Sequence, residues 1–250
     1  MSNIFHQTIK RVFMPEAAPT LRILMYHKID PLRSDALTVS VPQLEEQLSY
    51  LQKNGYQFLF INELTATEQL PPKAVLLTFD DAYLNNLEYA YPILKKYGAK
   101  ATIFVPTAYV GKSSSWDTPA EPLLSLVQLK ALDKTVFELG LHSHTHQNFQ
   151  DSSTAEIRQE MVENLDFFVR NQLPYVPALA YPYGGRPENA EARAAMYAIL
   201  TELGIKYAFR IGNRLNTWPV ENQYEMQRLD VRGTDSFAVF KSKLKWGKWF

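Results

Sequence analysis

Two adjacent carboxylates, Asp80 and Asp81, follow the apolar run Val75-Leu76-Leu77-Thr78-Phe79, and three of the chain's five histidines, His142, His144 and His146, fall within five residues of one another. With no cysteine among the 250 residues, a transition metal would have to be held by His, Asp or Glu. Consecutive residues leaving a strand point in different directions, so the two Asp side chains can take separate roles, one on a cation and one facing a substrate. The structural alternative is that one of them caps the following helix. His142 and His146 can chelate one metal if their segment makes a helical turn, and with one Asp they reach the three protein ligands of a zinc-class site with an open position. A single histidine is more often a satisfied structural residue, but three within five residues after a strand point towards a metal. His144, between the two that share a face, reads as their neighbour.

A third cluster is Ala180-Tyr181-Pro182-Tyr183-Gly184-Gly185. Proline and paired glycines fix a tight turn, and a backbone N–H freed there can point at a developing oxyanion, although the pattern alone is also that of an ordinary turn. A fourth is Leu24-Met25-Tyr26-His27, which adds an imidazole at the end of an early apolar run.

The elements that must position these groups are short apolar runs alternating with longer helical patterns. Residues 22–26, 57–60, 74–79, 101–105, 136–139, 178–181 and 206–209 read as strands. Leu44, Leu48 and Leu51 share one helical face, and Ile157, Met161, Leu165 and Phe168 share another, with Ser152 to Thr154 offering an N-cap. Residues 192–203 form an alanine-rich helix that stops at Gly204, and a helix starting near Asn86 ends at Tyr97-Gly98. This rhythm predicts an α/β fold with a parallel sheet or barrel under covering helices, in which the chemistry sits at the carboxyl ends of the strands. No repeat or obvious linker interrupts it, so one domain is expected, with residues 111–122 as its longest loop.

Composition narrows the partners. The chain is 46% hydrophobic and 21% charged, which excludes disorder, and 26 basic residues balance 26 acidic ones, so no bulk positive field attracts nucleic acid. After Lys10 and Arg11 the apolar run Val12-Phe13-Met14 is too short for a signal-peptide core, and no later segment reaches membrane-spanning length, so a cytoplasmic protein is expected. The end of the chain interleaves Phe240, Lys241, Lys243, Lys245, Trp246, Lys248, Trp249 and Phe250. Such a pattern suits a helix docking its aromatics on the body of the domain, or a peripheral contact with the inner face of a membrane.

Thr78-Phe79-Asp80-Asp81, then His142-Ser143-His144-Thr145-His146, then Tyr181-Pro182-Tyr183-Gly184, in this order, closely resemble the first three motifs of the polysaccharide deacetylase superfamily, also called the NodB-homology or carbohydrate esterase family 4 domain. The resemblance covers residues 21–245 and implies a distorted (β/α) barrel forming a single domain from residue 21 to 250, behind an N-terminal extension of residues 1–20. It also implies one divalent metal ion, usually Zn2+ and sometimes Co2+ or Ni2+. Carried over by motif, Asp80 is the general base, Asp81, His142 and His146 hold the metal, and the Tyr183 N–H faces the oxyanion, with Tyr181, Pro182 and Gly184 in the same substrate-facing turn. Two positions depart from the pattern. The arginine that usually precedes the Pro-Tyr-Gly turn and orients the base is replaced by Ala180 and Tyr181, and no histidine follows His146 to supply the usual late catalytic acid. The branch acting on poly-β-1,6-N-acetylglucosamine resembles a circular permutation that takes this histidine from the first strand, which makes His27 the candidate acid. Arg228, in Gln227-Arg228-Leu229-Asp230 on a late strand-like stretch, is the candidate for the missing arginine, against a surface salt bridge.

Metal-dependent removal of N-acetyl groups from an amino-sugar glycan or a lipid- or nucleotide-linked glycan precursor is the activity this implies. Removal of another acyl group (N-formyl or O-acetyl), and a non-catalytic carbohydrate-binding relic of the fold, are the alternatives. Trp116, Tyr83, Tyr183 and Trp218 are the aromatic residues available to stack on sugar, Trp116 being expected to stand exposed in its polar loop.

Overall fold

The computed structural model describes residues 19–64 and 69–247. Its strands are β1 (Thr20–Tyr26), β2 (Lys28–Asp30), β3 (Thr38–Ser40), β4 (Gln57–Leu59), β5 (Ala74–Phe79), β6 (Ala101–Val105), β7 (Phe137–Leu141), β8 (Ala178–Ala180), β9 (Tyr207–Ile211), β10 (Asn216–Thr217) and β11 (Met226–Asp230). The helices are α1 (Val41–Lys53), α2 (Ile61–Leu64), α3 (Tyr91–Lys96), α4 (Leu126–Ala131), α5 (Thr154–Arg170), α6 (Ala190–Glu202) and α7 (Phe237–Trp246). The expected strands all form, with ends that differ by one or two residues. The short β2, β3 and β10 carry too few residues for a periodic signal.

Strands β5, β6, β7, β8, β9, β11 and β1 lie side by side and parallel, and β1 pairs with β5 as well as with β11, so the sheet closes into a seven-stranded barrel. Closure is uneven. With β1 along one edge of β5, the other edge is divided between β4, which takes Ala74 to Leu76, and β6, which takes Leu77 to Phe79.

Strand alternation sorts the side chains into two cores. Leu21, Ile23, Ala74, Leu76, Phe104, Ala178, Ala180, Phe209 and Met226 cluster inside the barrel with Ile61 and Leu64 of α2 and with Trp218. Their neighbours Leu24, Tyr26, Val75, Leu77, Phe79, Ile103, Val105, Leu139, Leu141, Leu179 and Ala208 pack outward against Leu44, Leu48 and Leu51 of α1, Ile157, Met161 and Phe168 of α5, and Met196 and Leu200 of α6. Inside, room is short: a Cβ at Gly140 would meet the Phe104 ring at 2.6 Å, so the inward position on β7 must be glycine. The base of the barrel is closed by α2, whose Ile61 N–H donates to Glu138 Oε1 (2.6 Å), while Thr102 Oγ1 donates to the same oxygen (2.6 Å). A cavity of about 360 Å³ at this end, lined by Phe60, Leu129, Phe137, Glu138 and Tyr175, includes none of the motif residues.

Capping follows the sequence. Ser153 caps α5 in a reciprocal box with Glu156, as the Ser152 to Thr154 stretch predicts. Asn189 accepts from the N–H groups of Glu191 and Ala192, which starts α6 two residues earlier than the alanine pattern does. Among the described residues, no helix is long and apolar enough to cross a membrane. The tail is mostly docked: Phe240 and Leu244 are buried, and the Lys243 ammonium donates to Asp230 O and Asp235 Oδ2, both at 2.6 Å, so these residues cannot face a membrane. Lys241, Lys245 and Trp246 remain exposed; Lys248, Trp249 and Phe250, like Lys10, Arg11 and the apolar run after them, lie outside the described residues.

Candidate active site

At the carboxyl end of the barrel the inward set on β5 continues from Ala74 and Leu76 through Thr78 to Asp80, and that on β7 from Gly140 to His142. Asp80 therefore reaches the barrel axis, where β11 supplies Arg228. The guanidinium is fully buried, stands over the Phe104 ring (5.8 Å to its centroid) and binds the carboxylate two-pronged, Nη1 to Oδ1 at 2.6 Å and Nη2 to Oδ2 at 2.7 Å. This planar fork on a carboxylate is a geometry lysine cannot reproduce. The inward position on β8 is Ala180, so the cation comes instead from β11, two strands farther round the barrel, and the complete burial of Arg228 excludes a surface salt bridge. Burial alone would raise Asp80; the Arg228 guanidinium, helped by His142 and His27, outweighs it and holds the carboxyl below its usual range. His27, at the end of β1, brings Nε2 to 3.9 Å from Asp80 Oδ2. Its backbone is tied down by Asn86, whose side-chain amide donates to His27 O at 2.8 Å.

Asp81 turns the other way. Its φ of 71° and that of Ala82 (57°) put two consecutive non-glycine residues in the left-handed region, and the side chain swings toward the histidine motif. Asp81 Oδ1 lies 3.2 Å from His142 Nε2 and 3.1 Å from His146 Nε2, and the three candidate ligand atoms all fall within 4.8 Å of one another. The helical turn expected for the histidine segment is not what brings them together. Residues 142–148 form an irregular loop, with Ser143 (φ 58°) and His146 (φ 60°) left-handed, and these two reversals aim both rings at one point. The loop is held from α5. Glu160 accepts from the N–H groups of His144 (2.8 Å) and Thr145 (2.7 Å) and from the Thr145 hydroxyl (2.6 Å), and the Asn164 amide donates to Ser143 O (2.6 Å) and Val105 O (3.1 Å). Neither residue stood out as functional in the sequence, yet a signal was present: both are polar residues on the helix face that buries Ile157, Met161 and Phe168. His144 turns away to Thr107 Oγ1 (2.9 Å) and Glu163 (3.4 Å), a neighbour as its position suggested.

The three convergent residues fit a divalent cation on two grounds. His142 Nδ1 lies 2.8 Å from Ala180 O, a contact that needs the proton on Nδ1 and leaves the Nε2 lone pair facing Asp81. Asp81 Oδ1, although flanked by two imidazoles, is buried and makes no hydrogen bond among the described residues, an acceptor whose satisfaction calls for a charge at the centre of the cluster. Burial would raise Asp81 as well, but the two imidazoles hold it well below the usual range. Asp80 and Asp81 raise His142 against its burial, whereas burial prevails for His146 and lowers it.

The third motif closes the rim. Gly184 N–H donates to Tyr181 O and Gly185 N–H to Pro182 O, and between them Tyr183 is left-handed (φ 58°), its N–H taking part in neither bond. Gly184, at φ 68°, packs its α-carbon against Ile211, where a Cβ would meet side-chain atoms at 3.0 Å. Tyr183 is exposed, its ring 4.7 Å from that of His146. Several expected sugar contacts are corrected. Tyr181 is fully buried in the outer core with its hydroxyl donating to Tyr224 O, so its side chain cannot meet a substrate, and Pro182 is buried beside it. Tyr83 and Trp218 are likewise buried. Trp116 does not stand free: it stacks on the His146 ring (centroids 4.0 Å apart, planes at 28°), and its indole N–H donates to Tyr83 Oη.

The polysaccharide deacetylase family model matches residues 67–208, which include the paired carboxylates, both convergent histidines and the Pro-Tyr-Gly turn. The chain belongs to the polysaccharide deacetylase family. Its enzyme class is accordingly that of the deacetylases. The Bacillus subtilis protein YxkH is similar, at 32% identity over 197 residues (76% of this chain and 67% of that one). The poly-beta-1,6-N-acetyl-D-glucosamine N-deacetylase of Staphylococcus aureus is 28% identical over 204 residues, 77% of this chain and 67% of that one. Among solved structures, the Streptococcus pyogenes deacetylase PplD in complex with acetate superposes with a TM-score of 0.75 at 24% identity, over 93% of this chain and all of that one. IcaB from Ammonifex degensii gives a TM-score of 0.75 at 21% identity, covering 93% and 99%. These likenesses establish the distorted deacetylase barrel as the fold.

Proposed function

We propose that this polysaccharide deacetylase removes N-acetyl groups from an amino-sugar glycan or glycan precursor, with residues 21–250 as one catalytic domain. The observation that carries the reading is the division of the Asp pair: Asp80 is locked to a buried guanidinium, while Asp81 converges with two imidazoles. Asp81, His142 and His146 would hold a divalent cation of the zinc class. Such an ion, when bound, supplies Lewis acidity toward a carbonyl oxygen and acidifies water. Asp80, kept ionised by Arg228, accepts the proton of the attacking water, the Tyr183 N–H donates to the oxyanion of the tetrahedral intermediate, and His27 passes a proton to the departing sugar amine. Similarity, at 28% identity over 77% of the chain, to a poly-β-1,6-N-acetylglucosamine N-deacetylase supports an N-acetylated amino sugar as the substrate. A lipid-linked precursor draws support only from the exposed Trp246 and Lys245, whose ammonium stands 4.6 Å from the indole centroid. The intact set of base, acid and ligand residues disfavours a non-catalytic relic.

Metal analysis of the purified protein, followed by acetate release from N-acetylglucosamine oligomers, tests the reading. Asp80→Asn is expected to retain metal and lose turnover, whereas His142→Ala loses both. Full activity in Asp80→Asn would remove the base assignment, and faster release from N-formyl or O-acetyl sugars would transfer the proposal to that acyl group.

A further inference from the structure

The two convergent imidazoles are oriented by different means. His142 is fixed through Nδ1 on Ala180 O, but His146 Nδ1 is buried and has no hydrogen-bond partner among the described residues, so no hydrogen bond on that nitrogen sets the rotation of its ring. Metal-binding histidines nearly always use the second nitrogen for that purpose. What His146 has instead is a wall of rings, with Trp116 stacked at 4.0 Å on it and Tyr183 tilted at 4.7 Å. Trp116 is itself pinned. Its Nε1–H donates to Tyr83 Oη at 3.1 Å, the Tyr83 hydroxyl donates to Asp117 Oδ2, and Asp117 Oδ1 pairs at 3.1 Å with the ammonium of Lys28. Lys28 and the Asp117 carboxylate are nearly buried, and the ammonium also lies 5.4 Å from the centroid of the Tyr83 ring. The Trp116 ring also meets the Tyr109 ring in a T-shaped contact (centroids 4.8 Å apart, planes at 85°).

We propose that Trp116, locked by the chain Lys28–Asp117–Tyr83, is the positioning residue for His146 and replaces the missing Nδ1 hydrogen bond. The inference rests on the reading of Asp81, His142 and His146 as metal ligands. Stacking at this distance and angle stops the imidazole from rotating about its Cβ–Cγ bond, so that Nε2 stays aimed at Asp81 before any ion arrives. Lys28 follows His27 in sequence, so the same chain of contacts ties the loop over the histidine motif to the strand end that carries the candidate acid. The loop 111–122 thus serves the metal end of the site rather than offering its tryptophan to sugar.

The test measures Co2+ affinity by competition with a chromophoric chelator, together with the visible absorption bands of the Co2+-loaded protein, for the full-length wild type, Trp116→Ala, Trp116→Phe and Tyr83→Phe. Trp116→Ala is expected to bind Co2+ about 10- to 100-fold more weakly, the range typical for loss of a group that orients a ligand, with altered bands. Trp116→Phe, which keeps a stacking ring, should recover most of the loss, and Tyr83→Phe, which frees the indole N–H, should fall between them. Thermal melts of the metal-free proteins verify that the variants fold. If Trp116→Ala fails to fold, the contrast of Trp116→Phe and Tyr83→Phe with wild type decides, both matching wild type being the adverse result. Wild-type affinity and bands in folded Trp116→Ala would overturn the positioning role alone. Failure of the wild type to take up Co2+ would overturn the metal reading and this inference with it.

Discussion

Replacing Arg228 by methionine keeps an unbranched apolar stem in the barrel but removes, among the described residues, the only cation within hydrogen-bond reach of the Asp80 carboxylate. The carboxylate stays buried, so the variant retains the desolvation penalty and loses the two charged hydrogen bonds that offset it. Breaking a buried pair in this way costs about 3–5 kcal/mol. For a domain of this size that corresponds to a fall in Tm of about 6–20 °C. Asp80→Asn should cost a similar amount, because it strands the guanidinium. The double variant should then be destabilised by clearly less than the sum, since neither charge remains to be desolvated. Chemical denaturation of the four proteins in metal-free buffer gives the coupling energy directly. Additive losses, or an Arg228→Met protein within about 1 kcal/mol of wild type, would refute the claim that this pair is what keeps an ionised carboxylate inside the barrel.

Two further outcomes follow from the same structure. Glu160→Ala strands the N–H groups of His144 and Thr145 and should cost about 1–3 kcal/mol. It should also weaken Co2+ binding measured by chelator competition, while Glu160→Gln keeps part of both; wild-type Co2+ affinity in Glu160→Ala would show that the loop holds its shape without α5. Away from the site, burial and the hydrogen bond that Tyr197 donates to Glu225 push its phenol up to about 12. An acid raised in the folded state gives stability that is complete below its ordinary value of 10.0 and is lost as pH rises toward 12. The urea midpoint of wild type should therefore fall more steeply than that of Tyr197→Phe between these limits, and parallel curves would contradict the assignment.

The parts of the site legible in the sequence are those set by strand alternation. β5 reads as a buried strand, and its end must split two adjacent Asp residues to different sides; the structure does this. The histidine motif was legible in composition but not in shape. Spacing alone suggests a helical turn, whereas the rings converge through two left-handed residues held by Glu160 and Asn164 from the next helix, a tertiary effect that no local period encodes. Arg228 was legible as a residue type and not as a place. Its contact with Asp80 spans 148 positions and depends on β1 closing the barrel between β5 and β11. Trp116 misled for the opposite reason: a polar loop implies exposure, but the loop folds back through Lys28 and Tyr83 onto His146.

Local strain is distributed with the same logic. Among the described residues, seven non-glycine positions have positive φ; four of them, Asp81, Ser143, His146 and Tyr183, belong to the three motifs, and a fifth, Ala82, directly follows the first. Backbone in this region costs on the order of 1 kcal/mol or more for each such residue, so the arrangement persists only because its surroundings determine it. Those surroundings are visible: Asp80 N–H donates to Tyr26 O, Glu160 and Asn164 grip the histidine loop, and Gly184 and Gly185 close the turn around Tyr183. The barrel core and α5 thus hold the proposed ligand and base groups in aim before substrate binds. Substitutions in these supports should accordingly lower metal affinity and turnover together, even where no reacting atom is touched.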